Sequence, residues 1–306
     1  YKQVGSRGAV KDFLGFSAGR DADAIRKAIK GLGTDEDSLI NILTQRSNAQ
    51  RQLIVKEYQA ACGKELKDDL KGDLSGNFEH IMVSLILPPA YFDAKQLKKA
   101  MKGTGTAESI LIEILASRTS KQMKEVGDAY YTVYGKSLGD EISSETSGDF
   151  RKALLFLANV WDLICIILYN AGEKKWGTDE DKFIEVLCLR SFPQLKLTFD
   201  AYKSICNKDI EDSITSEMSG HLEDLLIAIV NCARNMPAFF AKRLHKALKG
   251  AGTDEYTLTR IMVTRSEIDL LDIRTEYKKL AGYSLHSAIK SDTSGDYEAT
   301  LVKLCG

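Results

Sequence analysis

The stretch "KGLGTDE" at residues 30–36 returns as "KGTGTAE" at 102–108, "KKWGTDE" at 174–180 and "KGAGTDE" at 249–255. The last glycines of the four copies, Gly33, Gly105, Gly177 and Gly252, stand 72, 72 and 75 residues apart. A period of that length marks one supersecondary unit built four times. In the first copy Ala24, Ile25, Ala28 and Ile29 fall at helical spacing, and Gly31 supplies a stop. Thr34 is expected to cap a second helix, with Asp35, Glu36 and Asp37 in its first turn, where acids favour the helix dipole. "SNAQ" at 47–50 predicts a capping box opening a third helix, which Gly63 ends. "ELKDDLKGDL" gives a short fourth helix, Ser75-Gly76 a turn, and "FEHIMVSLI" a fifth. No strand-like alternation is long enough to matter, so the expected architecture is all-α: four repeats of five helices.

The other copies follow in register. Arg46, Arg118, Arg190 and Arg265 each lie 13 residues after the loop glycine, and Tyr58, Tyr130, Tyr202 and Tyr277 share a later position. Hydrogen bonds from the arginines to helix ends or acids, and core packing of the tyrosines with a tethered hydroxyl, account for both sets.

Bulk properties narrow the function. Apolar residues make up 44% of the 306, enough for a real core, and the net charge of −1 gives no basic face for nucleic acid. Four prolines and the lack of a Ser/Gly/Pro-rich linker suggest that the repeats pack together. Six scattered cysteines without a C-x-x-C pair suit reduced, mostly buried thiols in a cytosolic protein. The first residues, "YKQVGSRGAVKD", lack the basic-then-apolar pattern of a secretory signal. The longest apolar run, "LICIILY" at 163–169, is far short of the roughly 20 residues that span a bilayer. His80, His221, His245 and His286 are isolated, and no H-E-x-x-H or G-x-S-x-G motif occurs, so no enzyme is expected.

The Gly-x-Gly loop follows a helix rather than a strand, which argues against phosphate-loop and dinucleotide chemistry. Forty residues after each loop glycine comes an acid: Asp73, Glu145, Glu217 and Asp292. Each opens a turn, "DLSG", "ETSG", "EMSG" or "DTSG". Side-chain length varies at this position but the carboxylate stays. Glycine lets a loop aim several carbonyls at one point, and Ca²⁺ takes 6–8 oxygens from carbonyls, carboxylates and water. One carboxylate per ion leaves each site weak and net positive, ready to complete its shell from a lipid phosphate. Four such clamps act together through effective concentration. A metal-independent helical scaffold for protein partners is the alternative.

Four copies of K-G-x-G-T-D-E with an acid forty residues on resemble the annexins, from about residue 20 to 306. "FPQLKLTFD" at 192–200 and "SETSGDFRKALL" at 144–155 narrow the resemblance within that family. It implies a tail at 1–19 and repeats at 20–88, 89–158, 159–235 and 236–306, forming one curved disc. It also implies Ca²⁺ as cofactor, anionic, phosphatidylserine-rich membranes as partner, and a cytoplasmic monomer that associates peripherally and assembles laterally on membranes. Phospholipase A2 inhibition would follow from covering the substrate.

Position by position, the resemblance assigns the first site to the carbonyls of Ile29, Gly31 and Gly33 with Asp73. It gives Met101, Gly103 and Gly105 with Glu145 to the second, and Leu248, Gly250 and Gly252 with Asp292 to the fourth. Lys175 departs from the pattern in the third loop, where the family's variant uses Gly172, Lys175 and Gly177 with Glu217. Trp176 at that loop's tip is expected to meet the lipid headgroups. Auxiliary cation sites map to Thr34/Glu36 and Thr106/Glu108. One departure is large: "LFLANVWDLICIILYNAG" at 155–172 replaces the longer polar connector that annexins place between the second and third repeats.

Overall fold

The computed structural model describes residues 7–30, 33–103, 105–158, 179–250 and 252–306. Gly31, Gly172, Lys175, Trp176, Gly177 and the connector beyond Ala158, for which the sequence raises expectations, lie outside the described residues. Eighteen α-helices and no strand occur among the described residues. Repeat I comprises α1 (Ala18–Lys30), α2 (Glu36–Thr44), α3 (Asn48–Cys62), α4 (Leu66–Asp73) and α5 (Gly76–Leu85). Repeat II comprises α6 (Pro89–Ala100), α7 (Glu108–Ser117), α8 (Ser120–Tyr134), α9 (Leu138–Glu145) and α10 (Gly148–Ala158). Then come α11 (Asp179–Leu189), α12 (Phe192–Cys206), α13 (Ile210–Glu217) and the long α14 (Gly220–Leu248). The chain closes with α15 (Glu255–Arg265), α16 (Leu270–Ala281), α17 (Leu285–Asp292) and α18 (Gly295–Cys305). No helix of the described residues is long and apolar enough to cross a membrane.

The local signals explain these ends. Ser47 with Gln50, Thr119 with Gln122 and Ser191 with Gln194 form capping boxes on α3, α8 and α12. The same helix position in each repeat ends in left-handed backbone, at Gly63, Gly135, Asn207 and Gly282. Asparagine is the one side chain among them, and it tolerates that conformation better than most.

The cap of α2 corrects the sequence expectation. Asp35, not Thr34, is the N-cap: its carboxylate accepts the Ser38 N–H at 3.0 Å and the Ser38 hydroxyl at 2.6 Å. These hydrogen bonds, side chain first, hold the Asp35 carboxyl below its ordinary pKa. Asp254 caps α15 through the Thr257 N–H in the same way. Ala107 holds the equivalent place before α7 with the same backbone angles but has no side chain to cap with.

Three of the four repeated arginines bond acids as expected, with differing partners, and Arg190 departs from the pattern. Arg46 makes two bonds to Asp21 (2.6 and 2.9 Å), and Arg118 two to Asp93 (2.7 and 2.9 Å), in each case 25 residues upstream. The corresponding residue for Arg265 is Phe240, over which its guanidinium lies at 4.6 Å, so Arg265 turns to Asp269 at 2.7 and 2.6 Å. Arg190 is exposed.

Tyr58, Tyr130 and Tyr277 are fully buried, and burial is the main cause pushing their phenols up. The tether expected for each hydroxyl depends on the residue 11 positions on. Asp69 accepts from Tyr58 and Ser213 from Tyr202. Glu141 is engaged by Lys98 instead, and the Tyr130 hydroxyl has no hydrogen-bond partner among the described residues; Ala288 offers none to Tyr277. Cys188, Cys232 and Cys305 are buried and Cys62 is half-buried, and none of the four is in a disulfide.

The chain divides into two compact units, Ala90–Met236 and a second made of Tyr1–Pro89 with Pro237–Gly306. The division falls within α14, beside the non-helical Asn235 and Pro237. In the discontinuous unit the N-terminal residues form a strap. Ala9 and Val10 donate to the Ser266 carbonyl, Leu271 donates to that of Arg7, and Arg7 pairs with Asp272 at 2.6 Å. A Cβ on Gly8 would stand 2.2 Å from the Glu267 carbonyl oxygen, so only glycine fits there. The Arg46 guanidinium sits 3.8 Å above the Phe13 ring.

Because Ala107 already has the backbone of a cap, Ala107→Asp is expected to stabilise unit Ala90–Met236 by about 1 kcal/mol. Urea denaturation of the two proteins, followed by circular dichroism, measures the shift in midpoint.

Candidate metal centre

The four acids occupy one structural position. Asp73, Glu145, Glu217 and Asp292 are the last residues of α4, α9, α13 and α17. After each, the chain becomes extended at Leu74, Thr146, Met218 or Thr293, whose N–H still bonds back into the helix. A serine follows, then a left-handed glycine: Gly76, Gly148, Gly220 and Gly295, with φ of 60, 61, 64 and 64°. The residue after the acid anchors the turn. Leu74 and Met218 are buried, while the Thr146 and Thr293 hydroxyls donate to Ile142 and Ile289 carbonyls. With that neighbour turned inward, the four carboxylates are exposed.

The loops are also built alike. The N–H of Asp35, Ala107 and Asp254 reaches back seven residues to the carbonyl of Ala28, Ala100 and Ala247, at 3.0, 2.8 and 2.9 Å. Gly33, Gly105 and Gly252 have φ of 86, 102 and 110°, a conformation that L side chains rarely adopt. Met101 and Leu248 bury their side chains, while Lys102, Gly103, Lys249 and Gly250 after them are exposed. Ile29 is half-buried and Gly33 exposed.

Loop and acid meet through the loop threonine. Thr106 donates its hydroxyl to the Glu145 carbonyl at 3.1 Å, and Thr253 donates to that of Asp292 at 3.0 Å. Sequence alone suggests a helix cap or an auxiliary cation site for this threonine and does not reveal the tie. The available signal was its presence in all four loops, at Thr34, Thr106, Thr178 and Thr253. In repeat I the helices carrying Ile29 and Asp73, α1 and α4, pack against each other. In the third repeat only Glu217 of the assigned set is described.

The donor chemistry fits a hard cation. No group of three or more His, Cys, Asp or Glu suited to a metal occurs among the described residues. An ion at these loops would therefore take backbone oxygens and one carboxylate, a set that suits Ca²⁺ and not zinc. Of the auxiliary sets, Glu108 lies 3.6 Å from the His221 imidazole and Thr106 is committed to Glu145.

The annexin family model matches residues 20–85, 92–157, 167–229 and 239–304. This chain is a member of the annexin family. Annexin A3 of Bos taurus is 71% identical over 99% of the chain and 98% of its own length. The solved structure of annexin III, also 71% identical, superposes with a TM-score of 0.91 over 99% of this chain and 98% of that one. A calcium-bound annexin (Sm)1 is 36% identical, with a TM-score of 0.87 over 98% and 93% of the two chains. Annexins bind Ca²⁺ and, with it, phospholipid membranes.

Within this annexin, Thr106→Val and Thr253→Val each remove one tie between loop and acid turn. Each is expected to cost about 1 kcal/mol at its site, roughly a fivefold higher local Ca²⁺ requirement, with helicity unchanged. Tb³⁺ luminescence titration beside far-ultraviolet circular dichroism checks both points.

Proposed function

We propose that this chain docks on anionic, phosphatidylserine-rich membranes in a Ca²⁺-dependent manner and performs no catalysis. The supporting observation is the identical placement of four exposed acids at helix ends, with a threonine tie to the glycine loop in repeats II and IV. The sites are those of the resemblance: Ile29, Gly31, Gly33 and Asp73; Met101, Gly103, Gly105 and Glu145; Gly172, Lys175, Gly177 and Glu217; Leu248, Gly250, Gly252 and Asp292. Trp176 contributes an amphipathic ring at the headgroup level. The repeats are taken as 20–88, 89–158, 159–235 and 236–306.

Each loop presents carbonyls that need no deprotonation, and each acid adds a carboxylate whose single charge undercompensates a divalent ion. Bound Ca²⁺ supplies the remaining positive charge, which attracts a lipid phosphoryl oxygen. The side chains around the loops, Met101 and Leu248 buried and the glycines bare, let the carbonyl edge approach the headgroups. Docking at several loops multiplies weak contacts into firm attachment. Inhibition of phospholipase A2 then follows from coverage of its substrate. The protein acts as a cytoplasmic monomer in solution.

Co-sedimentation with phosphatidylserine vesicles tests the reading: the protein pellets with Ca²⁺ and stays in solution with EGTA. Equal pelleting in both sinks it and favours the metal-independent scaffold. Asp73→Ala, Glu145→Ala, Glu217→Ala and Asp292→Ala singly raise the Ca²⁺ requirement by up to about tenfold, ~1.4 kcal/mol. The quadruple variant loses docking while its helicity stays intact.

A further inference from the structure

Each unit contains a corner where the junctions between the second and third helices of two repeats meet, and the two corners differ. In the discontinuous unit the floor is an ion pair. Arg51, 1% exposed, reaches Glu267 at 2.9 Å, and the Asn48 N–H donates to the same carboxylate at 2.7 Å. Burial lowers the Arg51 guanidinium to about 10, and Glu267 opposes that shift. The strap of Gly8, Ala9 and Val10 lies against Ser266 and Glu267.

In unit Ala90–Met236 the corresponding positions are apolar. Counted from the loop glycines, Met123 stands where Arg51 stands, and Phe192 where Glu267 stands. In place of the ion pair there is a cleft of about 210 Å³, walled by Leu115, Met123, Leu187, Phe192 and Ile229. A dry cavity of about 150 Å³ already holds benzene, so this one accommodates an aryl ring or a medium-length chain.

Two guanidinium groups belong to the same wall, Arg118 and Arg190. The buried Arg118 is neutralised by its two bonds to Asp93. Arg190 has neither of the acids its counterparts use. The residue 25 positions upstream is Cys165 where repeats I and II have Asp21 and Asp93; the residue four positions on is Gln194 where repeat IV has Asp269. Gln194 is committed to the Ser191 cap. Arg190 is exposed and makes no ion pair among the described residues.

We propose that this cleft binds a small amphipathic anion, with an aryl or medium-chain body on the apolar walls and a carboxylate on the Arg190 guanidinium. A planar guanidinium takes a carboxylate through two parallel hydrogen bonds, and the apolar wall beside it strengthens them. None of the residues involved belongs to the glycine loops or their acids, so binding is independent of Ca²⁺.

Calorimetric titration of the full chain in EGTA, with octanoate, acetate and octylamine, is the test. Octanoate is expected to saturate one site per chain, while acetate lacks the body and octylamine carries the wrong charge. Arg190→Gln weakens octanoate about tenfold or more, ~1.4 kcal/mol, whereas Lys121→Gln, on the exposed start of α8, leaves it unchanged. Arg190→Gln still pellets with phosphatidylserine vesicles in Ca²⁺, which shows that the fold persists. Equal binding of octanoate and octylamine, no saturable octanoate binding, or full octanoate affinity in Arg190→Gln overturns the proposal without touching the Ca²⁺ reading.

Discussion

The arrangement depends on how one residue is held at the end of the fourth helix of each repeat. A carboxylate serves as a ligand only if its backbone is fixed and its side chain is free. The fold achieves this by burying or hydrogen-bonding the next residue, Leu74, Thr146, Met218 or Thr293, and reversing the chain at a left-handed glycine. The acid is thereby left pointing outward from a rigid corner. Its carbonyl is also in use, receiving the loop threonine in repeats II and IV. Side-chain length at the acid is then secondary, which accounts for the exchange of Asp and Glu among the copies.

Much of this was legible because repetition turns one sequence into four observations. Helix ends marked by the S/T-x-x-Q boxes and by the glycines at 63, 135 and 282 lie where the local chemistry put them. The cap of α2 was misplaced by one residue because Thr34 and Asp35 are both good capping types. Only the tertiary tie of the threonine in the sister loops separates their roles. Partner identities were not legible either. Arg46 and Arg118 find acids 25 residues upstream, while Phe240 at that place in repeat IV sends Arg265 to Asp269. Similarly, Lys98 engages Glu141, and the Tyr130 hydroxyl has no tether among the described residues. A charged side chain with two suitors is decided by packing, which periodicity does not record.

The two helix-junction corners show how a repeated scaffold diverges in chemistry and in local backbone, since Glu267 lies between α15 and α16 whereas Phe192 opens α12. One corner satisfies a buried guanidinium with a carboxylate from another repeat, whose backbone the strap lies against. The other dispenses with charge at those positions, and a space remains. Burying a guanidinium costs desolvation, which Arg51 offsets in part through further bonds to the Leu43 and Arg46 carbonyls.

The strap also imposes an order of events on a growing polypeptide. Arg7 and its partner Asp272 are separated by 265 residues, so that bond has no counterpart until residue 272 has left the ribosome. At typical synthesis rates of 5–20 residues per second, the first repeat waits on the order of 10–50 s for its partner, while the intervening unit is already complete. During that interval Arg51, buried in the folded protein, is without the carboxylate of Glu267 that neutralises it, so the first repeat carries an unpaired guanidinium until the last one arrives.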